Sequence, residues 1–216
     1  MVFGTVYAGL ATNVLLVVAC LPFLLLLVTT DPARSWPSLA LVAPSCAPAA
    51  VAAFAVFGAF SADPSCSVVR TFLRAYRTHA RRALVIGGAA TASTVVLAVD
   101  VRAVWGHPVG AVAIPVFATL VLLTAATTLV ALPAVPDHPQ ARLRDLLRTA
   151  LFVAVRRWYL SGFGLLVIGT LASLVAARPA VGLGLAAAPL LYAVWGGSRY
   201  AMTAVLGVPA AAPSHP

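Results

Sequence analysis

The feature that most constrains this chain is a series of apolar runs, each roughly 20 residues long and nearly free of charge, at 6–29, 39–60, 83–101, 109–132, 158–177 and 181–206. At about 1.5 Å of rise per residue, a helix of about 20 apolar residues crosses a hydrocarbon layer about 30 Å thick. The runs are continuous and do not alternate with period two, which selects helices over barrel strands. A chain that is 62% hydrophobic and 9% charged has too much apolar surface for a water-soluble domain to hide. The expected fold is therefore all-α: a polytopic bundle of about six spans over residues 1–206, followed by a Pro- and Ala-rich tail, 207–216, expected to be disordered.

The breaks between runs carry their own signals. Thr30-Asp31-Pro32 stops the first, and Pro44 and Pro48 should make the second begin irregularly or kink. Asp100, Arg102 and His107-Pro108 separate the third and fourth, which should form a hairpin, and Arg178-Pro179 turns the fifth into the sixth. Val17-Val18-Ala19-Cys20 faintly resembles a lipoprotein processing box, but no basic residue precedes it and the apolar stretch continues beyond Cys20, so the first run is expected to be a retained helix.

Charge then orients the bundle. The net charge of +9 comes from 14 basic residues, all of them Arg, with no Lys and no Glu in the chain. Arg70, Arg74, Arg77, Arg81 and Arg82 fill the second connection, and Arg142, Arg144, Arg148, Arg156 and Arg157 the fourth; the first, third and fifth hold Arg34, Arg102 and Arg178. Such asymmetry beside apolar runs is a topology signal rather than a nucleic-acid footprint. With an even number of spans it places both termini and both basic loops in the cytoplasm, with Arg199 snorkelling to the same side.

The two basic loops are alike. Arg70-Thr71-Phe72-Leu73-Arg74 leads to Arg81-Arg82, and Arg144-Asp145-Leu146-Leu147-Arg148 leads to Arg156-Arg157, at a near-constant offset that favours an internal duplication. Asp63-Pro64 and Asp137-His138-Pro139 read as helix starts, giving amphipathic elbows over 63–82 and 137–157. At 100° per residue Arg70, Arg74, Arg77 and Arg81 share one stripe, with Val69, Phe72, Leu73, Tyr76 and Ala80 opposite. Such an elbow either anchors topology on the inner leaflet, its arginines among anionic headgroups, or meets a cytoplasmic partner.

No constellation for chemistry emerges. Asp31, Asp63, Asp100, Asp137 and Asp145 sit at run ends or in connections, His79, His107, His138 and His215 share no helix face at ligand spacing, and Cys20, Cys46 and Cys66 read as small apolar fillers. No enzymatic activity, metal or cofactor is expected. Inside the runs, Asn13 stands out: its amide needs a partner in lipid, either an interhelical hydrogen bond or a place lining a ligand cavity. Gly87-Gly88, Gly162-Phe163-Gly164 and Gly196-Gly197 should permit close helix packing, and Trp105, Trp158 and Tyr159 should mark the membrane interfaces.

Across nearly its whole length the chain resembles the YesL-type family of bacterial integral membrane proteins, grouped as domain of unknown function six hundred and twenty-four. The likeness rests on Asn13-Val14-Leu15-Leu16 with Leu21-Pro22, on Ala43-Pro44-Ser45-Cys46-Ala47-Pro48-Ala49-Ala50, on Phe72-Leu73-Arg74-Ala75-Tyr76-Arg77 with Arg81-Arg82-Ala83-Leu84, and on Leu143-Arg144-Asp145-Leu146-Leu147-Arg148-Thr149-Ala150. The tryptophan that often follows the early Asn-Leu-Leu is absent, and His79 stands where Asn is common. The resemblance implies a multi-pass protein of the bacterial inner membrane that assists carbohydrate uptake, with membrane lipids and transporter permease subunits as partners. A small transporter or channel for a neutral solute, and a lipid-binding or scaffold protein, are the alternatives.

Overall fold

The computed structural model describes residues 2–177 and 182–206; the Arg178-Pro179 turn, Val181, His215 and the 207–216 tail lie outside the described residues. The elements, in chain order, are α1 (Val2–Ala19), α2 (Leu21–Thr29), α3 (Trp36–Val42), a 3₁₀ turn (Ala43–Ser45), α4 (Cys46–Ala62), α5 (Val68–Val104), α6 (Gly110–Asp137), α7 (Leu143–Arg156), α8 (Trp158–Ala177), a π turn (Gly182–Ala186) and α9 (Ala187–Leu206). No strand occurs among the described residues. Among the described residues, four helical stretches are long and apolar enough to cross a membrane, 36–62, 68–104, 110–137 and 158–177, and a fifth is reached when α1 and α2 are taken as one bent span. The sixth expected run differs: α9 is unbroken, but Gly196, Gly197, Ser198 and Arg199 lie in its middle and lower its apolar character.

The chain breaks after Thr29, at Ala43–Ser45 and between Val104 and Gly110, as expected, and at one further place. The first run bends by 68° between α1 and α2. Pro22, in the first turn of α2, lacks the N–H that would bond Val18, and its ring crowds that turn. Cys20 still donates to the Leu16 carbonyl (2.8 Å) and accepts from the Leu24 N–H (3.0 Å), so one residue forms the hinge. The second run begins irregularly at its prolines, as expected: α3 gives way to a 3₁₀ turn before α4 starts. Pro44 tightens the chain into the 3₁₀ turn and Pro48 occupies the first turn of α4, where its missing N–H costs least.

The elbows are corrected too. The first is not a separate helix, because α5 runs unbroken for 37 residues through Arg81-Arg82 into the apolar segment. Part of its apolar side packs against protein: Val68, Phe72 and Ala75 are buried, while Val69 and Leu73 of the expected apolar side are exposed. Asp63-Pro64 caps a turn ahead of the helix, where Asp63 accepts from the Ser65 N–H (2.9 Å) and hydroxyl (2.7 Å), and these bonds hold its carboxyl below the usual range. In the second loop α6 continues to Asp137, through Pro133 and Pro136, and α7 starts only at Leu143. Here a separate helix does form, burying Leu146, Ala150, Val153 and Ala154 on one side. It ends at Arg157, where the Ser161 hydroxyl donates to the Ala154 carbonyl (3.1 Å), pairing a group exposed by the break.

Two buried clusters hold the bundle together. One joins α1, α4, the first turns of α5, α8 and α9 around Phe54, Phe57, Phe72 and Trp195; the other joins α4, the middle of α5, α6, α7 and α9 around Val51, Ile86, Val130 and Val153. In the first, Phe57 meets Tyr192 (5.5 Å between ring centroids) and Trp195 (6.3 Å) edge-on. Of the glycines expected at close crossings, Gly87 is the tight one: a Cβ there would lie 2.7 Å from the Ala47 Cβ and 3.5 Å from the Pro44 carbonyl oxygen. Gly88, Gly162, Gly196 and Gly197 face open space, and Gly164 has only an ordinary contact. Gly106, with φ of 84°, makes the turn between α5 and α6.

Gly87→Ala should therefore destabilise the protein by about 1–3 kcal/mol through overpacking, seen as a lower thermal midpoint in detergent micelles and restored by adding Ala47→Gly. Gly88→Ala, one residue on, should cost nothing and gain up to about 1 kcal/mol of helix propensity.

Candidate functional site

Two regions bring the singled-out residues together: an arginine face at one end of the bundle, and a cavity beside Asn13. The arginine face is built from α5. Because Val68, Phe72 and Ala75 are buried, and Tyr76 stacks on Phe72 (6.3 Å between centroids), the rotation of this helix is fixed. Arg70, Arg74, Arg77 and Arg81 then all project outward, and the first three bound a shallow cleft of about 460 Å³ with Leu73 and Thr78. None of the four has an ion-pair partner among the described residues.

Arg82 does something else. Half-buried, it donates across to the connection after α6, to the Ala141 carbonyl and to that of His138 (3.4 Å). It fastens the α6–α7 connection to α5, and in that role it is structural. Arg199, expected to snorkel, pairs with Asp137 (3.7 Å) and lies over the Trp195 ring (5.0 Å), tying α9 to the end of α6. Arg144 and Arg148, one turn apart on the exposed side of α7, have no ion-pair partner among the described residues and line a groove between α5, α6 and α7. The arginines alike in sequence thus divide into structural ones and free ones.

Asn13 is 3% exposed, and its amide is fully used. Its Nδ2 donates to the Gly184 carbonyl (2.8 Å), and its Oδ1 accepts the Ala188 N–H (2.7 Å). In an uninterrupted α-helix that carbonyl and that N–H would bond each other. Here the chain passes from the π turn to α9 between them, Pro189 follows with no N–H to continue the ladder, and the Asn13 side chain closes the gap. A cavity of about 670 Å³ lies alongside, between α1, α4 and the start of α9. Thr5, Asn13 and Tyr192 are the polar side chains among its lining residues; Val56, Phe57, Phe60 and Leu185 make an apolar wall. The Asn13 expectations of an interhelical bond and of a cavity position both describe this place, but its partner is broken backbone rather than another side chain. The combination of Gly184 and Pro189 is the sequence signal for that partner.

The remaining polar residues do not converge. Asp100, near the end of α5, has no ion-pair partner among the described residues. No group of three or more His, Cys, Asp or Glu side chains gathers at metal-binding range among the described residues. Trp105, Trp158 and Tyr159 are exposed, Trp105 after α5 and the other two at the start of α8. No family model, no curated protein and no solved structure matches the chain.

Asn13→Leu should leave the Gly184 carbonyl and the Ala188 N–H unpaired and cost about 2–4 kcal/mol. The measurement is unfolding of the purified protein in mixed micelles. Thr12→Val, which removes a hydroxyl bonded within its own helix to Ala8, should cost under about 1 kcal/mol by comparison.

Proposed function

We propose that this chain is a non-catalytic accessory protein of the bacterial inner membrane, whose arginine face docks on an acidic cytoplasmic surface of transporter permease subunits. The observation that carries the reading is the outward stripe of Arg70, Arg74, Arg77 and Arg81 on a helix whose other side is buried. Guanidinium groups are planar forks suited to carboxylates, and packing fixes the rotation of the helix from which the four project. By the excess of arginine over the other connections, this end lies in the cytoplasm, and counting α9 and the bent α1–α2 pair as spans puts both termini there. Carbohydrate uptake is the setting that the YesL-type resemblance supplies.

The transporter reading has a cavity to use, but Asn13 spends its amide on backbone, and the remaining wall offers little to a neutral hydrophilic solute. The docking reading predicts that the tagged chain copurifies with identified permease subunits, and that Arg74→Glu with Arg77→Glu reduces the recovered complex at least about tenfold without changing its own thermal midpoint. Solute flux through proteoliposomes containing this chain alone would sink the proposal.

A further inference from the structure

The groove between α5, α6 and α7 lies apart from the α5 stripe and has a different chemistry. Its cavity is about 690 Å³, walled by Ile86 and Ala90 of α5, Leu123 of α6, and Leu147 and Leu151 of α7. The threonines that line it do not make it polar. Thr124, Thr127 and Thr128 each donate their hydroxyl to a carbonyl one turn back on their own helix, at 2.7–2.8 Å, so those protons are spent. On the α7 wall stand Arg144 and Arg148, one turn apart on the same side, exposed and without an ion-pair partner among the described residues. Side chains so spaced on a helix are neighbours, about 5–6 Å apart at Cβ, and two guanidiniums at that spacing can share one phosphate.

We infer that this groove is a binding site for one anionic phospholipid, its acyl chain along the α5–α6–α7 walls and its phosphate on Arg144 and Arg148. The charge selects the occupant. Inside a bilayer an acyl chain gains no hydrophobic energy by leaving other acyl chains, so an apolar groove alone gives shape complementarity but no preference among lipids. Paired guanidiniums beside it add charge-assisted hydrogen bonds that a net-negative headgroup satisfies best and a zwitterionic one, which carries its own cation, satisfies less well. The site is independent of the docking proposed for the α5 stripe, since it uses neither Arg74 nor Arg77.

The test is native mass spectrometry of the delipidated full-length protein in detergent, titrated with phosphatidylglycerol and, separately, phosphatidylcholine of the same acyl chains. One phosphatidylglycerol should be retained per chain, with phosphatidylcholine retained at least about tenfold more weakly. Arg144→Gln with Arg148→Gln should bring phosphatidylglycerol down to the phosphatidylcholine level, and Ala90→Phe, which fills the groove, should lower both. Arg34→Gln with Arg102→Gln removes the same charge from exposed positions elsewhere and should change nothing. Equal retention of the two lipids overturns the inference. So does an equal loss in the Arg34/Arg102 variant, which would mean diffuse attraction to charge, or full displacement by millimolar glycerol 3-phosphate, which would mean a phosphate site without a lipid.

Discussion

A backbone group in hydrocarbon has no water to turn to, and the architecture of this bundle follows from how each interruption of a helix is repaired. Asn13 is the clearest case. The π turn and Pro189 open the hydrogen-bond ladder where α9 begins, and one amide on α1 supplies both a donor and an acceptor to the two exposed groups. This places the first helix of the chain against the last described one. It also explains why a polar residue is placed in an otherwise apolar helix: without it the buried Ala188 N–H and the part-buried Gly184 carbonyl would be orphaned. Ser161 performs a smaller repair at the α7–α8 break, and Cys20 needs none because the hinge is one residue long and its own N–H and C=O stay bonded.

The arginines show how packing decides what a charge can do. All are long, exposed-end side chains that sequence alone treats as equivalent. Once Val68, Phe72 and Ala75 are buried, helical geometry turns Arg70, Arg74, Arg77 and Arg81 outward and turns Arg82 toward the carbonyls at 138 and 141. Arg199 is drawn to Asp137, the carboxylate at the end of α6, where a negative charge is otherwise unfavourable against the helix dipole. Arg70, Arg74, Arg77 and Arg81, with neither a carboxylate nor a carbonyl partner among the described residues, have capacity for something outside the chain.

The apolar runs and the arginine stripe were legible because they depend on local properties, composition and a 3.6-residue period. The all-helical character followed from them. What was not legible depends on long-range contact. Pro22 breaks its helix while Pro133 and Pro136 do not, and nothing within a few residues distinguishes them. Asp63 and Asp137 look like helix caps, yet one closes a turn and the other ends a helix and meets Arg199, a partner 62 positions along by residue number. Asn13 was singled out by its type, but its partners 171 and 175 residues away belong to the tertiary structure.

The two basic segments, aligned at Arg70 with Arg144 and Arg74 with Arg148, fall out of step by one residue when Arg81-Arg82 is set against Arg156-Arg157. In the first segment the helix continues through the arginine pair; in the second it breaks at Arg157. One inserted residue in a continuous helix would rotate everything beyond it by about 100°. α8 would then turn Gly164 and Val167 away from the neighbours they now bury against. A break at the arginine pair cancels that rotation and lets each part keep its own buried face. At this break the Ser161 hydroxyl pairs the Ala154 carbonyl, which the end of α7 leaves without its next helical partner.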